Sequence, residues 1–252
     1  MNNSKKKIIF YQILLLIIII ALWELLSYFN IIDSFLISSP SKIIKKLIVY
    51  IENGEILKHI GISLLEVVLG MLLGTFVGIF IGMLLWFMPK IEKIVDPFMM
   101  VVNALPKTAL APIMIIWAGT DIKGIVVVAI SILLIITIIS SYNYFINIEE
   151  EKIKMMQSFN ATKMQIFFKL ILPSNYINII NIIKINIGMS WIGVIVGEFL
   201  VSRAGIGYLI MYGGQVFDMD LVMMGVFVLA ILAWGMWKIV DVIENNIKKK
   251  LL

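Results

Sequence analysis

The stretch EEEKIKMMQSFNATKMQIFFKLILP, residues 149–173, is a polar island in a strongly apolar chain. It mixes charged, amide and aromatic side chains and has no apolar run long enough to cross a bilayer. The three acids at its start suit the N-terminus of a helix. Ile153, Met156 and Phe159 then recur at helical spacing, which predicts a first short amphipathic helix.

The second half of the stretch repeats this design after an interruption. Asn160 breaks the pattern, and asparagine is, after glycine, the residue that best tolerates a left-handed backbone. A second short helix is predicted beyond it and is expected to end at Pro173. Its apolar positions are Met164, Phe167, Phe168 and Ile171. Two amphipathic half-helices that meet at a sharp corner indicate a surface that inserts into the groove of another protein.

The composition around this island is that of a membrane protein. Of 252 residues, 61% are hydrophobic and only 15% are charged, whereas a soluble domain has about a quarter charged residues. The net charge of +5 is typical of basic flanks of spanning helices, so no nucleic-acid partner is predicted. The absence of cysteine excludes disulfides and thiolate metal sites, and no metal site is predicted.

Six apolar segments are long enough to span a bilayer as helices. They cover residues 8–29, 60–88, 94–118, 125–146, 177–201 and 221–243, and the third is predicted to be broken by Pro106 and Pro112. With the N-terminus inside, twelve lysines fall on the inner side and six basic residues on the outer side. The positive-inside rule therefore predicts that both termini and the 149–173 loop are cytoplasmic.

Residues 38–55 lie between the first two spans and have a different character. Pro40 follows Ser39, a good N-cap residue, and apolar residues then recur at helical spacing. This pattern predicts a short amphipathic helix along the outer membrane interface.

The second span carries four glycines at intervals of four residues. They are Gly70, Gly74, Gly78 and Gly82. Small residues at this spacing form one flat stripe, which predicts the close approach of another helix rather than a function of its own.

Three classes of membrane protein fit these features: a transport subunit driven by a partner ATPase, an ion-coupled secondary carrier, and a structural or insertase-like protein. The chain has no phosphate-binding loop and no nucleophile–base pair, so we do not predict an enzyme. A carrier needs ionisable groups at mid-membrane, and the candidates are Glu66, Lys107, Lys184 and Glu198. Glu66 and Lys184 are predicted to snorkel from span ends, and Glu198 lies one turn from the outer end of the fifth span. Lys107 alone is predicted to lie deep, and no segment has a second copy, which counts against an inverted-repeat carrier.

The 149–173 loop resembles the cytoplasmic coupling loop, or EAA loop, of ABC-importer permeases. In that family an acid-alanine-alanine segment is followed by glycine and then by an aromatic-rich stretch ending in Leu-Pro. Asn160 stands at the glycine position, while Lys154 and Met156 replace the acid and the second alanine. The resemblance implies an ATPase-coupling set made of Ser158, Phe159, Asn160, Ala161, Gln165, Phe167, Phe168, Leu172 and Pro173.

Other segments are similar to one branch of this family, the nitrate/sulfonate/taurine/bicarbonate-type permeases. These segments are LWELL (22–26), SSPSKI (38–43), NALPKTALAPIMIIWAG (103–119), VGEFLVSRAGIGYLI (196–210) and DLVMMGVFVLAILAW (220–234). The resemblance implies an all-α integral membrane protein, one permease domain over 1–252 with six spans and the type I (MetI-like) importer fold.

The same resemblance implies a function and partners. It implies a permease in the bacterial cytoplasmic membrane for a small anionic or vitamin-precursor-like solute, without a cofactor of its own. ABC ATPase subunits, an extracytoplasmic substrate-binding protein and a second permease copy are the implied partners besides the bilayer. The pathway is expected near the broken third span and the fifth span, with Asn103, Pro106, Lys107 and Glu198 as candidates.

Overall fold

A computed structural model describes residues 3–29, 31 and 37–251. Every regular element in those residues is helical, because a chain in lipid has to pair its N–H and C=O groups within each segment. The helices are α1 (Asn3–Tyr28), α2 (Pro40–Glu52), α3 (Glu55–Phe87), α4 (Pro89–Ala104), α5 (Lys107–Ala118), α6 (Ile122–Ile146), α7 (Glu150–Ser158), α8 (Lys163–Ile166), α9 (Leu172–Ser174), α10 (Tyr176–Val201), α11 (Ile206–Gln215) and α12 (Met219–Leu251), with a π-helical turn (Phe167–Ile171) between α8 and α9.

Five of these helices are long and apolar enough to cross a membrane by themselves: α1, α3, α6, α10 and α12. Helices α4 and α5 pass the same test only together, as a pair bent by 98°, which makes six spans when the pair counts as one. Helix α3 begins earlier and α12 ends later than the apolar runs at 60–88 and 221–243. Glutamate and lysine are good helix formers, so the helical backbone continues past the apolar run into the polar flanks.

The third span is broken at Pro106 but not at Pro112, which corrects the expectation of two breaks. Leu105, between α4 and α5, has an extended backbone with ψ of 137°, the conformation that a following proline favours. Pro112 lies inside α5, and the helix continues through it. A proline there removes one backbone donor, and α5 tolerates that loss.

The chain forms two compact units. One comprises Met1–Gly61 with Ala204–Leu229, and the other comprises Ile62–Arg203 with Ala230–Leu252. In the first unit, Ser39 caps α2 by accepting a hydrogen bond from the Lys42 N–H, and Ser41 donates to Glu24 of α1. An ion pair joins Lys46 Nζ to Asp218 Oδ2 at 2.5 Å, so α2 is tied to the segment before α12.

Helix α6 is the central element of the second unit. Ten of its residues are buried, among them Ala129, Leu133 and Thr137. One of its sides faces the glycine stripe of α3. A Cβ added at Gly70 would lie 2.8 Å from Ala129 Cβ, and one added at Gly78 would lie 2.6 Å from Thr137 Cγ2.

The other two glycines of the stripe continue the same register. Gly74 faces Leu133 and Gly82 faces Ser141, so both partners of the contact advance by four residues. Helix α10 approaches α6 in the same way, since Gly193 faces the Ala129 backbone and a Cβ at Gly197 would lie 3.0 Å from Ile125 Cγ2. Two helices thus approach α6 closely, which is how packing contacts hold helices together where lipid offers no hydrophobic drive.

Candidate functional site

The first arm of the 149–173 loop is helix α7. Its first turn contains Glu150 and Glu151, which favour a helix N-terminus, and Lys154 pairs with Glu150 at 2.9 Å. Ile153 and Met156 pack against the buried residues Phe145, Ile166, Phe167 and Ile171. The apolar side of α7 therefore rests on the chain's own second unit.

The corner between the two arms is a complete helix stop signal. Asn160 has φ of 54°, the left-handed conformation that the sequence predicts for it. Its N–H donates to Gln157 O at 2.9 Å, and the Ala161 N–H donates to Met156 O at 3.1 Å. These two bonds form a Schellman motif, which satisfies carbonyl groups that the end of α7 would leave unpaired.

The second arm begins with a capping box that the sequence reasoning missed. The Thr162 N–H donates to Gln165 Oε1 at 2.8 Å, and the Gln165 N–H donates to Thr162 Oγ1 at 3.3 Å. The spacing Thr-x-x-Gln just before an apolar run was the available signal. In this structure the Gln165 side chain therefore caps the N-terminus of α8.

Phe167 lies in the interior, which corrects the expectation that it is an exposed docking residue. Its side chain is 1% exposed, and its ring centroid lies 5.2 Å from that of Trp86, 5.3 Å from that of Phe87 and 5.2 Å from that of Phe145. Aromatic pairs at such distances add to the stability that burial alone supplies. Phe167 anchors the loop to α3 and α6.

Four other apolar side chains of the loop are exposed instead. Met155, Phe159, Met164 and Phe168 have exposed fractions of 53%, 77%, 57% and 48%. We call these four residues the apolar tip. Methionine and phenylalanine are adaptable and large apolar groups, and both are enriched where proteins bind one another.

Pro173 does not end the second arm, which is another correction. The helical backbone runs from α8 through the π turn into α9, and Pro173 lies inside α9. Leu172 donates its N–H to Phe167 O, five residues back, and this wider turn precedes the proline. A π turn relieves the steric contact between the proline ring and the preceding helical turn. It also accommodates the N–H donor that proline lacks.

The bend between α4 and α5 brings together three of the four candidate pathway residues. Asn103 and Pro106 are exposed, and Lys107 is half-buried as the first residue of α5. Lys107 Nζ donates to the Asn103 backbone O at 3.1 Å and to Asn103 Oδ1 at 3.4 Å. The lysine thus stabilises the C-terminal end of α4 across the break.

Glu198, the fourth candidate, does not face an open path in this structure. It is 1% exposed and accepts a hydrogen bond from Ser63 Oγ at 2.5 Å. Glu66, expected to snorkel, is also 1% exposed, and its Oε2 atom is buried with no hydrogen-bond partner. Both carboxyl groups lie inside the second unit, where the Ser63 hydroxyl supplies Glu198 with a polar neighbour.

Lys184 is also paired internally rather than extended to an interface. Its Nζ lies 2.9 Å from Asp241 Oδ1, and it forms a second ion pair with Glu244 of the same helix, α12. The Trp237 ring, 5.0 Å from the same Nζ, covers it. This cluster ties α10 to α12. Within the described residues, no group of three or more His, Cys, Asp and Glu side chains could hold a metal ion.

Known proteins similar to this chain are transport permeases. SsuC of Bacillus subtilis, named for aliphatic sulfonates transport, is 27% identical over 92% of this chain and 83% of its own length. TauC of Escherichia coli, the taurine transport system permease protein, is 21% identical over 85% of this chain and 80% of its own length. ThiX of Halalkalibacterium halodurans, the formylaminopyrimidine transport permease protein, is 25% identical over 90% of each chain.

A solved structure shows the same fold. A chain of the MetNI methionine ABC transporter in an inward-facing conformation is 18% identical and superimposes with a TM-score of 0.66 over 77% of this chain and 97% of that chain. The type I importer fold predicted from the sequence is therefore confirmed. The relatives are permeases, in agreement with the prediction that the chain is not itself an enzyme.

The family match completes this assignment. The model of the family described as "Binding-protein-dependent transport system inner membrane component" matches residues 74–252, which include the 149–173 loop, the contacts of Gly74, Gly78 and Gly82 with α6, and the bend before α5. The secondary-carrier alternative is set aside by this match. The chain belongs to the family of binding-protein-dependent transport system inner membrane components and is a multi-pass permease of an ABC importer.

Proposed function

We propose that this permease imports a small organic anion of the sulfonate type, delivered from outside by a binding protein. The observation that carries the substrate class is that SsuC and TauC, which align with most of the chain, are named for sulfonate and taurine transport. ThiX is named for formylaminopyrimidine transport, so formylaminopyrimidine is tested as a second class of substrate.

The 149–173 loop is the element that couples this subunit to the ATPase. Its anchored base and exposed apolar tip support that role, since the tip is free to enter a groove while Phe167 holds the loop to the membrane helices. The chain has no phosphate-binding loop of its own, so ATP is bound by the partner. Transport then depends on the loop binding differently to two states of the ATPase.

The remaining parts of the proposal concern assembly and orientation. Two copies of the permease pair to enclose the pathway, which runs beside Asn103, Pro106 and Lys107, and both termini are cytoplasmic. The chain acts as one permease domain over 1–252. Helix α2 and the segment 202–218 form the outer rim that meets the binding protein, supported by the Lys46–Asp218 ion pair between them.

Reconstitution tests this function directly. The chain is purified with its ATPase, inserted into liposomes and supplied with its binding protein, and uptake of radiolabelled taurine, ethanesulfonate and formylaminopyrimidine is measured with and without ATP. We expect ATP-dependent uptake of a sulfonate. Uptake of formylaminopyrimidine alone would replace the substrate class and keep the importer role, whereas uptake without ATP would contradict the coupling role.

A further inference from the structure

Lys107 is an isolated positive charge halfway along the bent pair. It is the only charged residue between Asp96 and Asp121, and the bend that it occupies lies between the two halves of one membrane-inserted segment. A charged side chain in such a segment has a high free-energy cost. It is therefore normally paired with another protein group or lines the path of a solute.

Within the part of the chain that the structure describes, this lysine has no acidic partner. None of the ion pairs among residues 3–29, 31 and 37–251 includes Lys107, whose hydrogen bonds go to the carbonyl and amide oxygens of Asn103. Lys184, which lies in helix α10 of the same unit, has two carboxylate partners. The charge of Lys184 is thus neutralised by carboxylates, whereas among the described residues that of Lys107 is not.

The surroundings of Lys107 leave its ammonium group accessible from one side. Asn103, Leu105 and Pro106 are exposed, and the first turn of α5 begins at Lys107 itself. The free N–H groups of a first helical turn carry partial positive charge, which adds to the field of the ammonium group. An anion that reaches the bend meets a positive site with one amide beside it.

We propose that Lys107 and Asn103 form an anion-binding step of the translocation pathway, at which one sulfonate or carboxylate group of the solute replaces the missing acidic partner. This inference rests on the proposed function in that the anion is the transported solute. Lys107 is the specificity-determining residue of the step, and Asn103 positions its Nζ. The anion neutralises the lysine only while it passes, so its binding to Lys107 is transient.

Charge-selective labelling tests the site without any need for transport. The chain has no cysteine, so Asn103→Cys introduces a single thiol. The full chain with its ATPase is treated in membrane vesicles, with and without ATP, with a sulfonatoethyl or a trimethylammonioethyl methanethiosulfonate. We expect the anionic reagent to be favoured, and Lys107→Gln to lower the anionic-to-cationic rate ratio by about tenfold or more.

Controls separate the charge from other effects of the substitution. Lys107→Arg keeps the charge and should keep the rate ratio, while glutamine at 107 can still donate to Asn103 O. Asn53→Cys, exposed in the turn after α2, should show the same ratio with Lys or Gln at position 107. Ethanesulfonate should slow the labelling of Asn103→Cys when Lys107 is present and not when Gln replaces it.

The outcomes of these experiments test the anion-binding site separately from the proposed substrate class. No labelling in either nucleotide state, an unchanged ratio in Lys107→Gln, or a charge effect without protection by ethanesulfonate would each overturn it. In the liposome assay, Lys107→Gln should lower sulfonate uptake by about tenfold while the complex still hydrolyses ATP. If the wild-type complex imports no anion although the labelling results hold, the substrate class fails and the anion site remains.

Discussion

Phe167 and Phe168 are neighbours in the sequence and their rings lie 5.3 Å apart, yet the two side chains differ sharply in exposure. Phe167 is 1% exposed among aromatic rings, and Phe168 is 48% exposed at the apolar tip. A single loop therefore separates two tasks between adjacent residues of one type. One ring holds the loop to the permease, and in the proposed coupling role the other contacts the ATPase.

This difference gives a matched pair of substitutions. Phe167→Ala removes a buried ring and should lower the free energy of unfolding of the permease by about 3–5 kcal/mol. Phe168→Ala should leave that stability nearly unchanged and weaken ATPase docking by about 2 kcal/mol. The measurements are thermal unfolding of the detergent-purified subunit and co-purification of the ATPase. Equal effects of the two substitutions on both measurements would contradict the division of tasks.

Asn160 offers a second test at the scale of one residue, because the prediction depends on its left-handed backbone conformation and not on contacts of its side chain. Asn160→Gly should keep ATPase co-purification and uptake, since glycine adopts a φ of 54° without strain. Asn160→Val should cost about 1–2 kcal/mol, because a β-branched residue resists that conformation, and should lower both measured quantities. A functional valine variant beside an inactive glycine variant would show that the corner does not depend on the left-handed residue.

At the scale of elements, α6 organises the second unit because α3 and α10 both present glycines to it. The contact advances by four residues on each side, from Gly70 and Ala129 to Gly82 and Ser141. Packing of this kind depends on the shape of two helices together. A substitution in one helix can therefore be compensated by a substitution in the other.

The contact at Gly82 allows that compensation to be tested. Gly82→Ala places a methyl group against Ser141 and should destabilise the permease by about 1–3 kcal/mol. Gly61→Ala, in the same helix, meets open space and should be neutral or slightly stabilising. The double variant Gly82→Ala/Ser141→Gly should recover most of the loss. Recovery of the intact complex from detergent and its unfolding temperature are the measurements, and a double variant no better than Gly82→Ala would refute close packing at this position.

At the scale of the whole molecule, the spans and the loop define a topology. The loop couples to a cytoplasmic ATPase only if it lies on the same side as that ATPase. The lysine distribution predicts this side for residues 149–173 and for both termini. The absence of native cysteine makes the prediction easy to examine.

Single cysteines at Lys7, Lys163 and Lys249 should be protected from a membrane-impermeant thiol reagent in intact cells, whereas one at Asn53 should be labelled. All four positions are exposed, so protection reports the side of the membrane rather than burial. Labelling of all four after the cells are opened is the control. A cysteine at Lys163 that reacts from outside would invert the topology and remove the coupling role of the loop.

The sequence alone determined the features that depend on local chemistry. Apolar runs predicted the spans, because lipid requires long helices with internally paired backbones. Ser39 before Pro40 predicted the start of α2, and Asn160 predicted the left-handed corner. The resemblance of the 149–173 loop pointed to the family that the match over residues 74–252 then showed.

Only the tertiary structure decided which apolar or charged residues are buried. Phe167 and Phe168 look alike in the sequence, and the rings that bury Phe167, those of Trp86, Phe87 and Phe145, belong to other helices. The burial of Glu66 and Glu198 and the ion pairs of Lys184 were likewise not predicted. The partners of Glu198 and Lys184 belong to other helices, Ser63 to α3 and Asp241 and Glu244 to α12. Pairings between distant segments depend on how whole helices pack, and no local pattern records them.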